Sequence, residues 1–126
     1  FTSQVFAGWT LVAKNSDGVV FYLDFDRTKE HNGYKYYYML GDYLTPQVGD
    51  LSVQYYRQVD CKSYRFRPIS YIFYKQSMGK GNSTVDNKMG DWDTTSKNST
   101  NNTVHKICKS LVLSFYCPPL QLYNFQ

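Results

Sequence analysis

A chain of 126 residues has room for one domain and a modest core. Its formal charge of +4 is scattered over singly placed Lys and Arg, which excludes a dense nucleic-acid-binding face, and its longest apolar run, Gly18 to Leu23, is too short for a membrane-spanning helix. Thirteen tyrosines, set against few strong helix formers, point to strands, because a broad ring packs well on a half-buried pleated surface.

Trp9 to Lys14 is predicted as a first strand. The Asn15-Ser16-Asp17-Gly18 stretch turns the chain, since Asp-Gly tolerates positive φ, and Val19 to Asp24 returns as a second strand. Asp26 to Gly33 is polar and closes on the turn pair Asn32-Gly33. Tyr34 to Asp42 is a third strand, with Tyr34, Tyr36, Tyr38 and Leu40 on one face and Lys35, Tyr37 and Met39 on the other. Leu44 to Gly49, carrying Pro46, reads as a loop. Leu51 to Cys61 and Tyr64 to Lys75 are the fourth and fifth strands. Pro68 has no N–H to give a ladder, so the fifth strand is expected at an edge or with a bulge there. Gln76 to Thr100 is poor in apolar residues and is expected as a long loop, with at most a short strand near Val85 to Met89 and Trp92 as its anchor. Asn101 to Leu111 is the one predicted helix: Val104, Ile107, Cys108 and Leu111 form a single stripe, and Asn101 or Asn102 supplies the cap. Pro118-Pro119 ends regular structure. The chain opens on Phe1 in place of a methionine, and the expectation is a processed or truncated start with any signal peptide already removed.

Catalysis needs paired groups in tuned environments, and the candidates fall short. Asp24, Asp26, Glu30 and His31 cluster in a polar turn where carboxylates stay solvated. Asp91 and Asp93 flank Trp92 as loop charges, and Met78-Gly79-Lys80-Gly81 lacks the spacing of a phosphate loop. His105 lies off the helix stripe and reads as a surface histidine, with haem ligation as the competing reading. Three Asn-X-Ser/Thr triplets, at Asn82, Asn98 and Asn101, fall in a stretch so rich in Asn, Ser and Thr that chance explains them. What remains is aromatic and basic: Tyr36 and Tyr38 on one sheet face, Arg65 and Arg67 on one face of the fifth strand, and Arg57 on the fourth. Tyr and Arg are enriched at protein interfaces, where a ring or a planar guanidinium gives large contact area with polar reach. The competing reading makes Tyr36 and Tyr38 core beneath the helix and the arginines ordinary strand charges.

The order of these pieces resembles the surface-adhesin protein E family of Gram-negative bacteria. The resemblance is carried by Trp9 with Leu11-Val12-Ala13, the Ser16-Asp17-Gly18 turn, Phe21-Tyr22-Leu23-Asp24, Gly33 and Asp42-Tyr43. It continues through Val59-Asp60-Cys61-Lys62, Tyr64-Arg65, Arg67, Tyr74, Gly79-Lys80-Gly81, Trp92 and the helical Cys108. The Asn/Thr-rich stretch before the helix and the tail from Ser110, with Cys117, depart from the family pattern. The three cysteines alone leave Cys61–Cys108, Cys108–Cys117 and three free thiols open, with no CxxC and no metal-ligand spacing to His31 or His105. The resemblance implies Cys61–Cys108 and hence an oxidising compartment.

The expectation is therefore one α+β domain over 1–126, with a core at 9–108 and an extension at 109–126: a curved, mainly antiparallel sheet of about six strands with the C-terminal helix across its concave face. Trp9 and Trp92 are structural anchors, and Tyr36, Tyr38, Arg57, Arg65 and Arg67 are binding candidates. The resemblance implies an exported, non-enzymatic binding module without a cofactor, in the periplasm or at the outer-membrane surface, that contacts host matrix or serum proteins. A homodimer through an exposed edge at the fifth strand is a further expectation. The alternatives are a carrier of haem or lipid between sheet and helix, or a structural envelope protein.

Overall fold

Five turns set the path of the chain, and each contains a residue in the left-handed region. In the first, Asn15 Oδ1 accepts hydrogen bonds from the Asp17 and Val19 amides at 2.9 and 3.0 Å, and Gly18 sits at φ +88°. Asn32-Gly33 and Val48-Gly49 are two-residue connections with both φ values positive, the geometry that matches the right-handed twist of a hairpin, and Met78-Gly79, also both positive, closes the three-residue Ser77–Gly79 connection. The remaining turn follows Asp60, whose carboxylate caps the Lys62 amide and the Ser63 hydroxyl, and it ends at Tyr64, φ +52°.

In the computed structural model, which describes residues 8–94 and 103–114 (side chains as far as Lys109), the strands are β1 (Thr10–Lys14), β2 (Val20–Leu23), β3 (Lys29–His31), β4 (Tyr34–Gln47), β5 (Asp50–Asp60), β6 (Arg65–Gln76), β7 (Lys80–Asp86) and β8 (Asp93–Thr94). One turn of 3-10 helix, Phe25–Arg27, precedes β3, and the helix α1 spans Thr103–Ser114. All pairings are antiparallel, in the order β1-β2-β4-β5-β6-β7, with β3 added to β4 and β8 added to β6. The sheet curls into a half-barrel, and α1 lies against its concave, inner face.

Several expectations change. The Leu44–Gly49 loop is the end of β4 and a tight turn, because Val48-Gly49 takes hairpin geometry although a β-branched residue disfavours positive φ. The polar stretch after Asp24 holds the 3-10 turn and β3. The predicted long loop contains β7, which has no apolar alternation and is held by its ladder to β6. Consequently β6 is an interior strand, not an edge, and strand-pairing of two copies at β6 is closed off. Pro68 is instead the site of a bulge: it stands opposite Arg57, Ser70 stands opposite Tyr56, and Ile69 is the extra residue. The helix runs to Ser114, past the predicted end at Leu111, and is described from Thr103. Its proposed caps, the Asn98 and Asn101 triplets and Cys117 lie outside the described residues.

The core forms where the apolar stripe of α1 meets the inner face. Leu23, Tyr37, Val59, Val104 and Ile107 are essentially fully buried, and Met39 joins them. Cys61, at the end of β5, is bonded to Cys108 in α1 with a Cα–Cα distance of 5.8 Å. Lys35 Nζ donates to the Cys108 carbonyl at 3.0 Å, a second clasp on the same turn. On the outer face, the Ser77–Gly79 turn folds over buried Leu40 and Ser52. Asp42 accepts from the Ser77 hydroxyl and the Met78 amide, and Ser52 Oγ accepts from the Gly79 amide while donating to the Gln76 carbonyl.

Candidate functional site

Strict alternation along β4 sends Tyr37 and Met39 inward and leaves Tyr34, Tyr36 and Tyr38 on the outer face. The reading that put Tyr36 and Tyr38 under the helix fails on this point, because the tyrosine beneath α1 is Tyr37. Register brings further residues to the same outer face. Tyr38 pairs with Tyr56, Tyr36 with Gln58, Gln58 with Arg67, and Asp60 with Arg65. Tyr56 stacks on Tyr38 at 4.6 Å and on Tyr36 at 6.1 Å between ring centroids. Gln58 donates to the Tyr36 hydroxyl at 3.1 Å and accepts from Arg67 Nε at 2.7 Å.

Trp92 closes one end of this band. Short β8 pins its neighbour Asp93 opposite Phe66, and the indole lies over two guanidiniums, Arg65 at 4.4 Å and Arg67 at 4.6 Å, and stacks on Tyr34 at 5.8 Å. At the other end Arg27 reaches back from the 3-10 turn to lie 4.0 Å from the Tyr38 ring and 5.4 Å from Trp9. Asp24, itself buried, holds Arg27 Nε at 2.6 Å. Trp9 and Trp92 are thus the two ends of one surface of rings and guanidiniums. Its tyrosines, both tryptophans, Arg65 and Arg67 are half-buried and Arg27 is exposed, so side chains fixed by stacking still present area outward. Burial pushes the Tyr56 hydroxyl above its usual range, with Tyr38 and Tyr36 adding to the effect.

Arg57 does not join Arg65 and Arg67. It sits on the inner face, 4.6 Å from the Tyr55 ring and 4.8 Å from the Phe66 ring, with Nη1 donating to the Tyr37 hydroxyl at 3.3 Å. It lines a cavity of about 210 Å3 between the sheet and the first turn of α1. That is smaller than the roughly 300–1,000 Å3 of typical small-molecule pockets, too small to enclose a haem. His105 is half-buried and stacked on Tyr64 at 4.2 Å, so the expected surface histidine is a packing residue. No group of three or more metal-ligating side chains occurs among the described residues. Asn82 lies exposed on β7.

The family model for surface-adhesin protein E matches residues 9–109. The chain belongs to the surface-adhesin protein E family. Among solved structures it is similar to protein E of Haemophilus influenzae: crystal form II aligns with a TM-score of 0.64 at 19% identity, covering 86% of this chain and 92% of that one. Protein E from non-typeable Haemophilus influenzae aligns with a TM-score of 0.65 at 18% identity, covering 90% and 84%. At that identity the likeness concerns the fold. No curated protein matches the sequence significantly. In this chain the outer band lies on the sheet face opposite α1. Tyr34, Tyr56, Gln58 and Arg27 belong to it and were not legible as site residues. Period-2 alternation gave the face of each, but only cross-strand register and the 3-10 turn bring them to Trp92, Arg65 and Arg67.

Proposed function

We propose that this chain is a non-enzymatic binding module, exported to the cell envelope of a Gram-negative bacterium, that engages a host extracellular-matrix or serum protein through the outer-face band. One observation carries the reading: Trp9, Arg27, Tyr38, Tyr56, Tyr36, Gln58, Arg67 and Trp92 form a continuous chain of ring, cation–π and hydrogen-bond contacts on the face opposite α1. Such an array suits protein recognition, since its side chains are already ordered and lose little rotamer freedom on contact. Membership of a surface-adhesin family supports the same reading, and no helix among the described residues is long and apolar enough to cross a membrane.

The test is surface plasmon resonance of the full chain against a panel of immobilised matrix and serum glycoproteins. A partner that binds wild type and loses at least about tenfold in affinity with Tyr56→Ala or Arg67→Ala, but not with Lys29→Ala on β3, supports the band. Binding left intact by both band substitutions refutes it.

A further inference from the structure

Arg57 has no countercharge among the described residues. The sequence has ten side-chain carboxylates, all within 17–93, and the segments outside the described residues contain no Asp or Glu. Asp24, Asp60 and Asp50 pair with Arg27, Arg65 and Lys75, and no carboxylate pairs with Arg57. Its Nε is buried and has no hydrogen-bond partner among the described residues. The guanidinium is held between the Tyr55 and Phe66 rings and borders the cavity whose other walls include Phe21, Met39 and Thr103. A half-buried guanidinium fixed against two rings, with a buried Nε that has no partner and no paired carboxylate, stands beside an open cavity as a ready partner for an anion from outside.

We propose that this inner-face cavity binds a small carboxylate with a short apolar or aromatic body, its oxygens on Arg57 and its body against Phe21 and Met39. The planar guanidinium matches a carboxylate in a two-point contact, and Phe21 and Met39 on the cavity wall give an apolar body, which inorganic phosphate lacks, a surface to pack against. The site faces α1, on the opposite side of the sheet from the adhesive band, so the two readings stand or fall separately.

The experiment is a titration of the full, disulfide-bonded chain with benzoate, followed by 1H–15N NMR that includes the arginine Nε–Hε signals. Benzyl alcohol, phosphate and an N-acetyl-glutamyl amide serve as comparison probes. The expected result is a saturable shift of the Arg57 Nε–Hε signal with benzoate, absent with benzyl alcohol and weaker by at least about tenfold with phosphate. Arg57→Met abolishes the saturable backbone-amide shifts that benzoate produces around the cavity. If that variant fails to fold, Phe21→Trp, which fills the cavity and leaves Arg57 in place, decides: benzoate binding falls by at least about tenfold. Saturable binding of the glutamyl amide in addition to benzoate assigns the same pocket to an acidic side chain of a partner as well as to a free acid. Shifts that never saturate, that survive both substitutions, or that benzyl alcohol or phosphate reproduces equally overturn the proposal.

Discussion

Replacing Cys61 and Cys108 together by Ala tests how much of the fold depends on a single cross-link. The bridge joins residues 47 apart in sequence. Chain-entropy arithmetic for a loop of that length gives about 4 kcal/mol of stabilisation at room temperature, through restriction of the unfolded chain. A domain of this size has about 5–15 kcal/mol in all, so the variant stays folded but with its margin sharply cut. With a urea slope of about 1.5 kcal/mol/M, the unfolding midpoint falls by about 2–3 M, read by circular dichroism in non-reducing buffer. The loss is not uniform along the chain. Without the bridge α1 is held by Val104 and Ile107 in the core and by Lys35 on the Cys108 carbonyl, whereas β5 keeps full ladders to β4 and β6. Amide hydrogen exchange therefore rises first in residues 103–109 and only later in 52–59. A midpoint shift below about 0.5 M, or equal deprotection of β5 and α1, refutes the assignment of the bridge as the main clamp on the helix.

Two further outcomes follow from local geometry. Val48 is 99% exposed at φ +51°, so it contributes no burial while holding a β-branched side chain in the left-handed region; Val48→Asn raises stability by about 1 kcal/mol in the same urea assay, and a lower midpoint contradicts the account of this turn. Burial first, then Tyr55 and Asp50, raise the Tyr43 hydroxyl from its ordinary 10.0 to about 12, so the folded state holds the proton more tightly than the unfolded chain. That contribution is complete below pH 10.0 and is lost as pH rises through about 12. Tyr43→Phe flattens the alkaline decline, as measured by urea midpoints across this range, and an unchanged decline refutes the environment assigned to Tyr43.

The sequence by itself determined the fold class and most of its parts. Tyrosine-rich alternation marked the long strands, Asp-Gly and Asn-Gly marked two of the turns, and the stripe of Val104, Ile107 and Cys108 identified the helix and its buried face, because these signals are local and periodic. It also carried the family resemblance, and with it the Cys61–Cys108 pairing. Signals that depend on partners were not legible. Lys80–Asp86 has the composition of a loop and becomes β7 only because β6 offers a free row of backbone groups. Val48-Gly49 turns against local preference because the β4–β5 ladder on either side outweighs the strain of one residue. Pro68 permitted either an edge or a bulge, and only the presence of β7 and β8 beyond β6 selected the bulge. The same limit governed the site. Tyr36, Tyr38, Arg65 and Arg67 were found one strand at a time, but Arg57, two residues from Tyr55 on the same strand, belongs to the opposite face. Cross-strand register brings Tyr56 and Gln58 between the tyrosines and the arginines, and the placement of Trp92 against β6 makes the separate residues one surface.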